Sequence, residues 1–267
     1  MNNPITLTTD FGVKDPWQGA MKGVILSINP TAKIVDISHS ISPRNVLEGA
    51  FILSEAYRFF PDGTVHVAVV DPGVGGERAP VLIATEKFSF VGPDNGIFTF
   101  ALEREKVRSV VKLTREEYFL KEVSGTFHGR DVFAPVAAHV SMGVPSEKFG
   151  EPLSTPPVTI DLPRPVEEKG SLLGEVLYVD AFGNLITNIG SDDIARFKGG
   201  EGGGGGGRLE VTVKGRTIKG LVKSYSGAVE GDLVALMGST GKLEIACFMG
   251  SASRLLGCGE GEGVELR

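Results

Sequence analysis

The chain has 267 residues, room for one large or two ordinary domains, and its 41% hydrophobic content supports a buried core. Lys and Arg number 27 against 33 Asp and Glu, a net charge of −6, so there is no basic footprint for nucleic acid or an anionic membrane, and a small-molecule partner is expected. The N-terminus lacks the basic and apolar segments of a targeting signal, no apolar run is long enough to span a bilayer, and a cytosolic protein is expected.

In chain order, β-rich runs alternate with amphipathic stretches. Residues 5–9, 33–37 and 64–70 predict strands, and residues 16–28, 46–59 and 130–142 predict helices. Pro16 suits a first helical turn, and the Asp15 carboxylate is placed to cap it. The alternation predicts an α/β fold for residues 1–150, a mostly parallel sheet covered by helices on both faces. Pro152, Pro156, Pro157, Pro163 and Pro165 then mark residues 151–169 as an extended connector, because proline suits neither a helix interior nor a central strand. From residue 170 to 267 short alternating runs, such as 209–213 and 243–247, lie between glycine turns and predict a smaller antiparallel, barrel-like β-domain. The glycine run at 202–207 lacks the offsets, the Lys and the following helix of a phosphate cradle, and reads as a hairpin loop. Cys247 and Cys258 have no metal-ligand or disulfide spacing and read as packing residues.

Three segments carry the chemistry: Thr8-Thr9-Asp10-Phe11-Gly12, Asp71-Pro72-Gly73-Val74-Gly75-Gly76-Glu77-Arg78 and Thr126-Phe127-His128-Gly129-Arg130-Asp131. Each sits where an apolar run gives way to glycine, which in an open α/β sheet is the strand end where ligands bind. Asp10 reads either as a loop cap or as a carboxylate that grips a ribose diol. Asp71 is placed to pair with the Arg78 guanidinium, and the pair alone reads as well as a structural salt bridge. His128, whose ordinary pKa allows a neutral ring near pH 7, adds a group able to accept a proton from water. Phe11, Trp17 and Phe127 are candidate apolar walls and equally candidate core.

These segments resemble the S-adenosyl-L-methionine (SAM) hydroxide adenosyltransferases, SAM hydrolases related to the halogenating enzymes that act on the same substrate. The resemblance runs nearly end to end. It includes Met21-Lys22-Gly23, Gly92-Pro93-Asp94-Asn95-Gly96, Phe182-Gly183-Asn184 with Thr187-Asn188, and Gly238-Ser239. It implies that Asp71, Arg78 and His128 position and activate water, that Asp10 binds the ribose hydroxyls, and that Asp15 and Ser239 contact the ammonium and carboxylate of the methionine moiety. Asp180, Phe182 and Asn184 are implied to close on the adenosyl group, with Glu244 and Met249 also facing it. The resemblance further implies a homotrimer with sites at subunit interfaces and no cofactor, SAM being the substrate. Two departures stand out: Cys247-Phe248-Met249-Gly250 replaces a smaller, more polar stretch, and Arg44 stands where relatives often carry an aromatic residue.

Two other readings compete. Asp10, Asp71, Asp94, Asn95, His128 and Asp131 are conceivable ligands of a metal-dependent phosphoesterase, although Arg78 beside such a metal weighs against it. A module that binds SAM or adenosine without turnover is the non-enzymatic alternative.

Overall fold

The computed structural model describes residues 3–199, 209–225 and 228–267, and the glycine run at 202–207 lies outside them. The chain divides into two compact units, Met1–Ile160 and Asp161–Arg267.

The first unit is built on seven strands: β1 (Ile5–Thr9), β2 (Ile34–Ser38), β3 (Val65–Val69), β4 (Pro80–Thr85), β5 (Ser89–Pro93), β6 (Val107–Leu113) and β7 (Gly150–Pro152). Their order in the sheet is β2-β1-β3-β5-β4-β6-β7. The strands β2, β1, β3 and β5 run parallel, and β4, β6 and β7 extend the sheet in antiparallel fashion. Helices α1 (Trp17–Ile28), α2 (Val46–Ala56), α3 (Thr99–Leu102) and α4 (Ala134–Ser141) complete the unit. The alternation of side chains along β3 sorts the layers. Val65, Val67 and Val69 share a core with Met21 and Ile25 of α1 and Val136 of α4, while Ala68 and the following Val70 share another with Leu53 of α2 and Tyr57. The sheet is thus covered on both faces, and each large aliphatic side chain so buried contributes about 1.5–3 kcal/mol.

Local departures from the predicted elements have local causes. Pro16 occupies the position before α1 with no side-chain cap, and Asp15 is exposed, so the capping role expected of Asp15 is not realised. The helix expected over 46–59 is α-helical to Ala56 and then tightens to a 3₁₀ turn at Tyr57–Phe59. Pro61 explains the end: Phe60 before it is extended at φ −86°, ψ 155°, as a residue preceding proline prefers. The helix expected over 130–142 opens with a π turn at Gly129–Phe133, a device frequent at functional sites.

The proline-rich span begins as the edge strand β7, where Pro152 is tolerated. Beyond it, Val158 N–H donates to Asp94 Oδ1 (2.8 Å) and Ile160 N–H to Thr99 Oγ1 (2.9 Å), so the first unit holds this extended segment by its backbone.

The second unit contains β8 (Val166–Glu168), β9 (Ser171–Val179), β10 (Leu185–Gly190), β11 (Glu210–Val213), β12 (Arg216–Lys219), β13 (Leu233–Met237), β14 (Lys242–Cys247) and β15 (Gly263–Leu266), with helices α5 (Ser191–Gly199) and α6 (Ala252–Leu256). The order is β12-β11-β15-β9-β10-β14-β13, all neighbours antiparallel, with β8 paired to β9. A bridge between Val222, just past β12, and Leu236 of β13 brings the two ends of the sheet together into a nearly closed barrel. Its core includes Leu172, Val176, Leu185, Ile245 and Leu266, and Cys247 packs there as a free thiol. Among the described residues no helix is long and apolar enough to cross a membrane.

Candidate active site

In the first unit the C-terminal ends of β1 and β3 and the start of the π turn converge on a cavity of about 330 Å³, lined among others by Asp10, Phe11, Trp17, Asp71, Phe127 and His128. Gly75 makes the convergence possible. It has φ 75°, and a Cβ there would collide with the carbonyl of Gly125, so only glycine lets the Asp71–Arg78 loop lie against the loop that carries His128.

Arg78 joins the two loops. Its Nε donates to Asp71 Oδ1 (3.0 Å) and Oδ2 (2.9 Å), and its Nη2 donates both to Asp71 Oδ2 and to His128 Nδ1 (2.9 Å). Asp71 and Arg78 side chains are both nearly buried, and the guanidinium carbon lies 5.5 Å from the centre of the Phe133 ring. A guanidinium can only donate, so Nδ1 of His128 accepts and the neutral ring carries its proton on Nε2. Burial and the Arg78 charge lower the His128 pKa below its usual value, against a weaker opposing pull from Asp71 and Asp131. The imidazole is therefore neutral at pH 7, and the one lone pair able to take a proton is engaged by Arg78.

Asp10 is held from one side by the backbone: Arg44 N–H donates to Asp10 Oδ2 at 2.9 Å, and Arg44 takes φ 68° to do so. Phe11 and Trp17 both meet Phe127 edge to face at 5.6 Å between ring centres. Arg130 stacks 5.0 Å from the Phe127 centroid while bonding the fully buried Asp131 carboxylate. The walls of the cavity are thus aromatic and mutually braced.

The second unit gathers its candidate residues differently. Asp180 Oδ1 accepts from Phe182 N–H and Asn184 N–H, both at 2.9 Å, and Asp180 Oδ2 accepts from Asn184 Nδ2 at 2.9 Å. This Asx-type turn spends the Asp180 carboxylate on two main-chain amides and the Asn184 side chain and leaves Phe182 79% exposed. Gly183 permits it with φ 84° and a contact against Ser251 too close for any Cβ. Glu244 is buried on β14 and accepts a short hydrogen bond from Tyr225 Oη. Burial and the nearby Asp180 charge raise the Glu244 pKa, and burial with the Glu244 contact pushes Tyr225 up to about 12. Met249 is 76% exposed at φ 56°, and Ser239 is exposed beside Gly238.

Of the residues singled out from sequence, Asp10, Asp71, Arg78 and His128 come together in the first unit. Asp15 is exposed near them in sequence but is not part of the cavity wall. Asp180, Phe182 and Asn184 form one turn of the second unit. Tyr225, the main-chain amide of Arg44 and the brace from Arg130 were missed. Three of the six residues considered for a phosphoesterase metal make structural hydrogen bonds: Asn95 Nδ2 donates to Val70 O, Asp94 receives Val158 N–H, and Asp131 receives Ser124 N–H and Arg130. Among the described residues no three His, Cys, Asp or Glu side chains are grouped to hold a metal ion.

Comparison with known proteins follows the same division. Residues 5–150 match the model of the SAM hydroxide adenosyltransferase N-terminal domain, and residues 174–265 match that of its C-terminal domain. An (R)-S-adenosyl-L-methionine hydrolase of Methanocaldococcus jannaschii is 40% identical over 94% of this chain and 91% of its own. One of Thermus thermophilus is 36% identical over 98% and 99%. A fluorinase of Nocardia brasiliensis is more distant, 28% identical over 91% and 89%. Among solved structures, an uncharacterized conserved protein from Thermotoga maritima superposes with a TM-score of 0.89 at 38% identity, covering 98% of this chain and 99% of that one.

Proposed function

The chain belongs to the SAM hydroxide adenosyltransferase family, and on that premise we propose how it hydrolyses S-adenosyl-L-methionine to adenosine and L-methionine. The bonded set Asp71, Arg78 and His128 at the edge of an aromatic cavity carries the reading. Water attacks the ribose 5′ carbon in line with the sulfonium; the new C–O bond forms as the C–S bond breaks and its electron pair returns to sulfur. The proton lost by the water passes to His128 Nδ1, while Arg78 turns the N–H that held Nδ1 toward the developing hydroxide. Asp71 keeps the guanidinium in place through that exchange.

A sulfonium leaves without acid assistance, so this step asks for alignment rather than for a metal. Holding the water about 3–3.5 Å from the carbon supplies roughly 7–11 kcal/mol of the barrier. Charge is annihilated as hydroxide meets sulfonium, so the apolar walls Phe11, Trp17 and Phe127 favour the transition state over separated charges.

In this reading Asp10 takes the ribose diol, Asp15 the methionine ammonium and Ser239 the carboxylate. Phe182 stacks on adenine, Asn184 and the backbone near Met249 read its edge, Asp180 shapes the Phe182 turn, and Glu244 lies alongside. The enzyme acts in the cytosol as a homotrimer whose sites lie at subunit interfaces, each N-terminal domain meeting the C-terminal domain of a neighbouring subunit. Co-expression of His128→Ala with an Asn184→Ala, Phe182→Ala variant tests that assembly: random pairing leaves about a quarter of interfaces intact and active, whereas no activity above either parent refutes it.

Incubation with SAM after chelator treatment, followed by chromatography, tests the reaction itself. Adenosine and methionine are expected at undiminished rate. Methylthioadenosine as the main product, or activity abolished by chelation, contradicts the reading.

A further inference from the structure

The turn that delivers Asp10 is tied down by a histidine thirty residues away that no motif marked. Thr9 ends β1 fully buried, and its hydroxyl oxygen accepts Phe11 N–H at 3.2 Å and lies 2.8 Å from His39 Nδ1. A hydroxyl that already accepts from an amide completes its bonding by donating its own hydrogen, so Nδ1 is the acceptor and the ring carries its proton on Nε2. That nitrogen lies 3.0 Å from Asp36 Oδ1, close enough for attraction though off the line of a straight hydrogen bond. The opposite tautomer would crowd two N–H groups onto the Thr9 oxygen and set a ring lone pair against the carboxylate. Asp36 is anchored in turn by Lys22 Nζ at 2.6 Å, and Lys22 also reaches Gln18 Oε1 of α1 at 3.2 Å.

The main chain of His39 closes the arrangement, because its carbonyl accepts Gly12 N–H at 2.7 Å. One residue therefore grips both ends of residues 9–12, with Asp10 and Phe11, two walls of the cavity, between the grips. His39 itself is only 5% exposed and takes no part in the cavity wall, so direct contact with substrate is not its role.

We propose that His39 is a positioning residue for SAM hydrolysis: acting through Thr9, it fixes the Asp10 carboxylate and the Phe11 ring in the arrangement that receives the ribose. Asp36 and Lys22 serve it by fixing the ring's tautomer and orientation. The inference rests on the assignment of Asp10 to the ribose hydroxyls.

The test is a set of double-variant cycles read in KM for SAM and in kcat. Thr9→Val, which keeps the shape and removes the hydroxyl, raises KM about five- to twentyfold, the scale of one or two lost buried hydrogen bonds, with a smaller change in kcat. Thr9→Ser recovers most of the loss. His39→Asn, which retains an acceptor where Nδ1 stood but drops the Asp36 contact, loses less than Thr9→Val and serves if the valine variant does not fold. In an Asp10→Ala background, where the positioned group is gone, either change raises KM less than about twofold. Wild-type KM in Thr9→Val, or an undiminished effect of Thr9→Val or His39→Asn in the Asp10→Ala background, overturns the proposal. An Asp10→Ala variant with wild-type KM fails differently: it removes the ribose assignment, and the positioning role falls with it.

Discussion

The two units assemble their candidate functional residues by opposite means. In the first, a carboxylate, a guanidinium and an imidazole from positions 71, 78 and 128 meet because the loop between β3 and β4 lies against the loop that opens the π turn, and the link from Arg78 to His128 spans fifty residues. In the second, Asp180, Phe182 and Asn184 meet because they are neighbours in one Asx-type turn. The first arrangement is nearly buried and charged, with both Asp71 oxygens bonded to Arg78 and Arg78 bonded in turn to His128. The second displays an exposed aromatic ring on a stiff local turn. Long-range convergence suits chemistry, where a lone pair must be placed to a fraction of an ångström, and a local turn suits binding of a flat, apolar group.

If that division of labour is right, substitutions should separate along it. The largest effect is expected in the first unit. His128→Ala lowers kcat by about 10² to 10⁴ and leaves KM within a few fold, as for a positioned acid–base group. Asp71→Asn is expected to follow it, because the change weakens the hold on Arg78 without leaving a cavity. In the second unit Asn184→Ala, which frees the Asp180 turn, is expected to do the reverse, raising KM about tenfold with little change in kcat. Steady-state kinetics on purified variants checks both. A His128→Ala enzyme with full turnover, or an Asn184→Ala enzyme whose defect lies in kcat, would erase the contrast.

The dependence on pH gives a smaller and more specific signal. The folded-state pKa of His128 is lowered by burial and by Arg78, so the neutral ring, with Nδ1 accepting from Arg78, is the form present at pH 7. Protonation of Nδ1 removes that acceptor and sets two cations in contact. Activity is therefore retained through neutral pH and lost as pH falls through a value below the ordinary 6.5 of histidine. A kcat/KM profile with its acid limb at or above pH 6.5 would contradict this state of the ring, and the limb should vanish in a His128→Gln variant that keeps residual activity.

Much of this was legible in the sequence because the relevant residues sit at punctuation marks. Asp10 and Asp71 each follow an apolar run and come just before a glycine turn, and both stand at strand ends as that pattern predicts, whereas His128, read the same way, instead opens a π turn after a loop. The barrel-like second unit was legible from alternation between glycine turns. What stayed hidden depends on contacts between distant residues. Tyr225 meets Glu244 only because the chain past β12 returns to the barrel, and the main-chain amide of Arg44, not its side chain, holds Asp10. The His39 link to Thr9 is equally silent, since an imidazole after a strand reads as any surface histidine until its partner is known. Asp15 shows the converse: a strong local signal for a helix cap that the fold leaves exposed and without a capping bond.

The most direct test of the central claim is isotopic. The chain is incubated with SAM in water enriched in heavy oxygen, and the adenosine formed is analysed by mass spectrometry. Attack of water on the ribose 5′ carbon predicts one heavy oxygen in the 5′-hydroxyl of adenosine and none in methionine. Adenosine without the label would contradict the account.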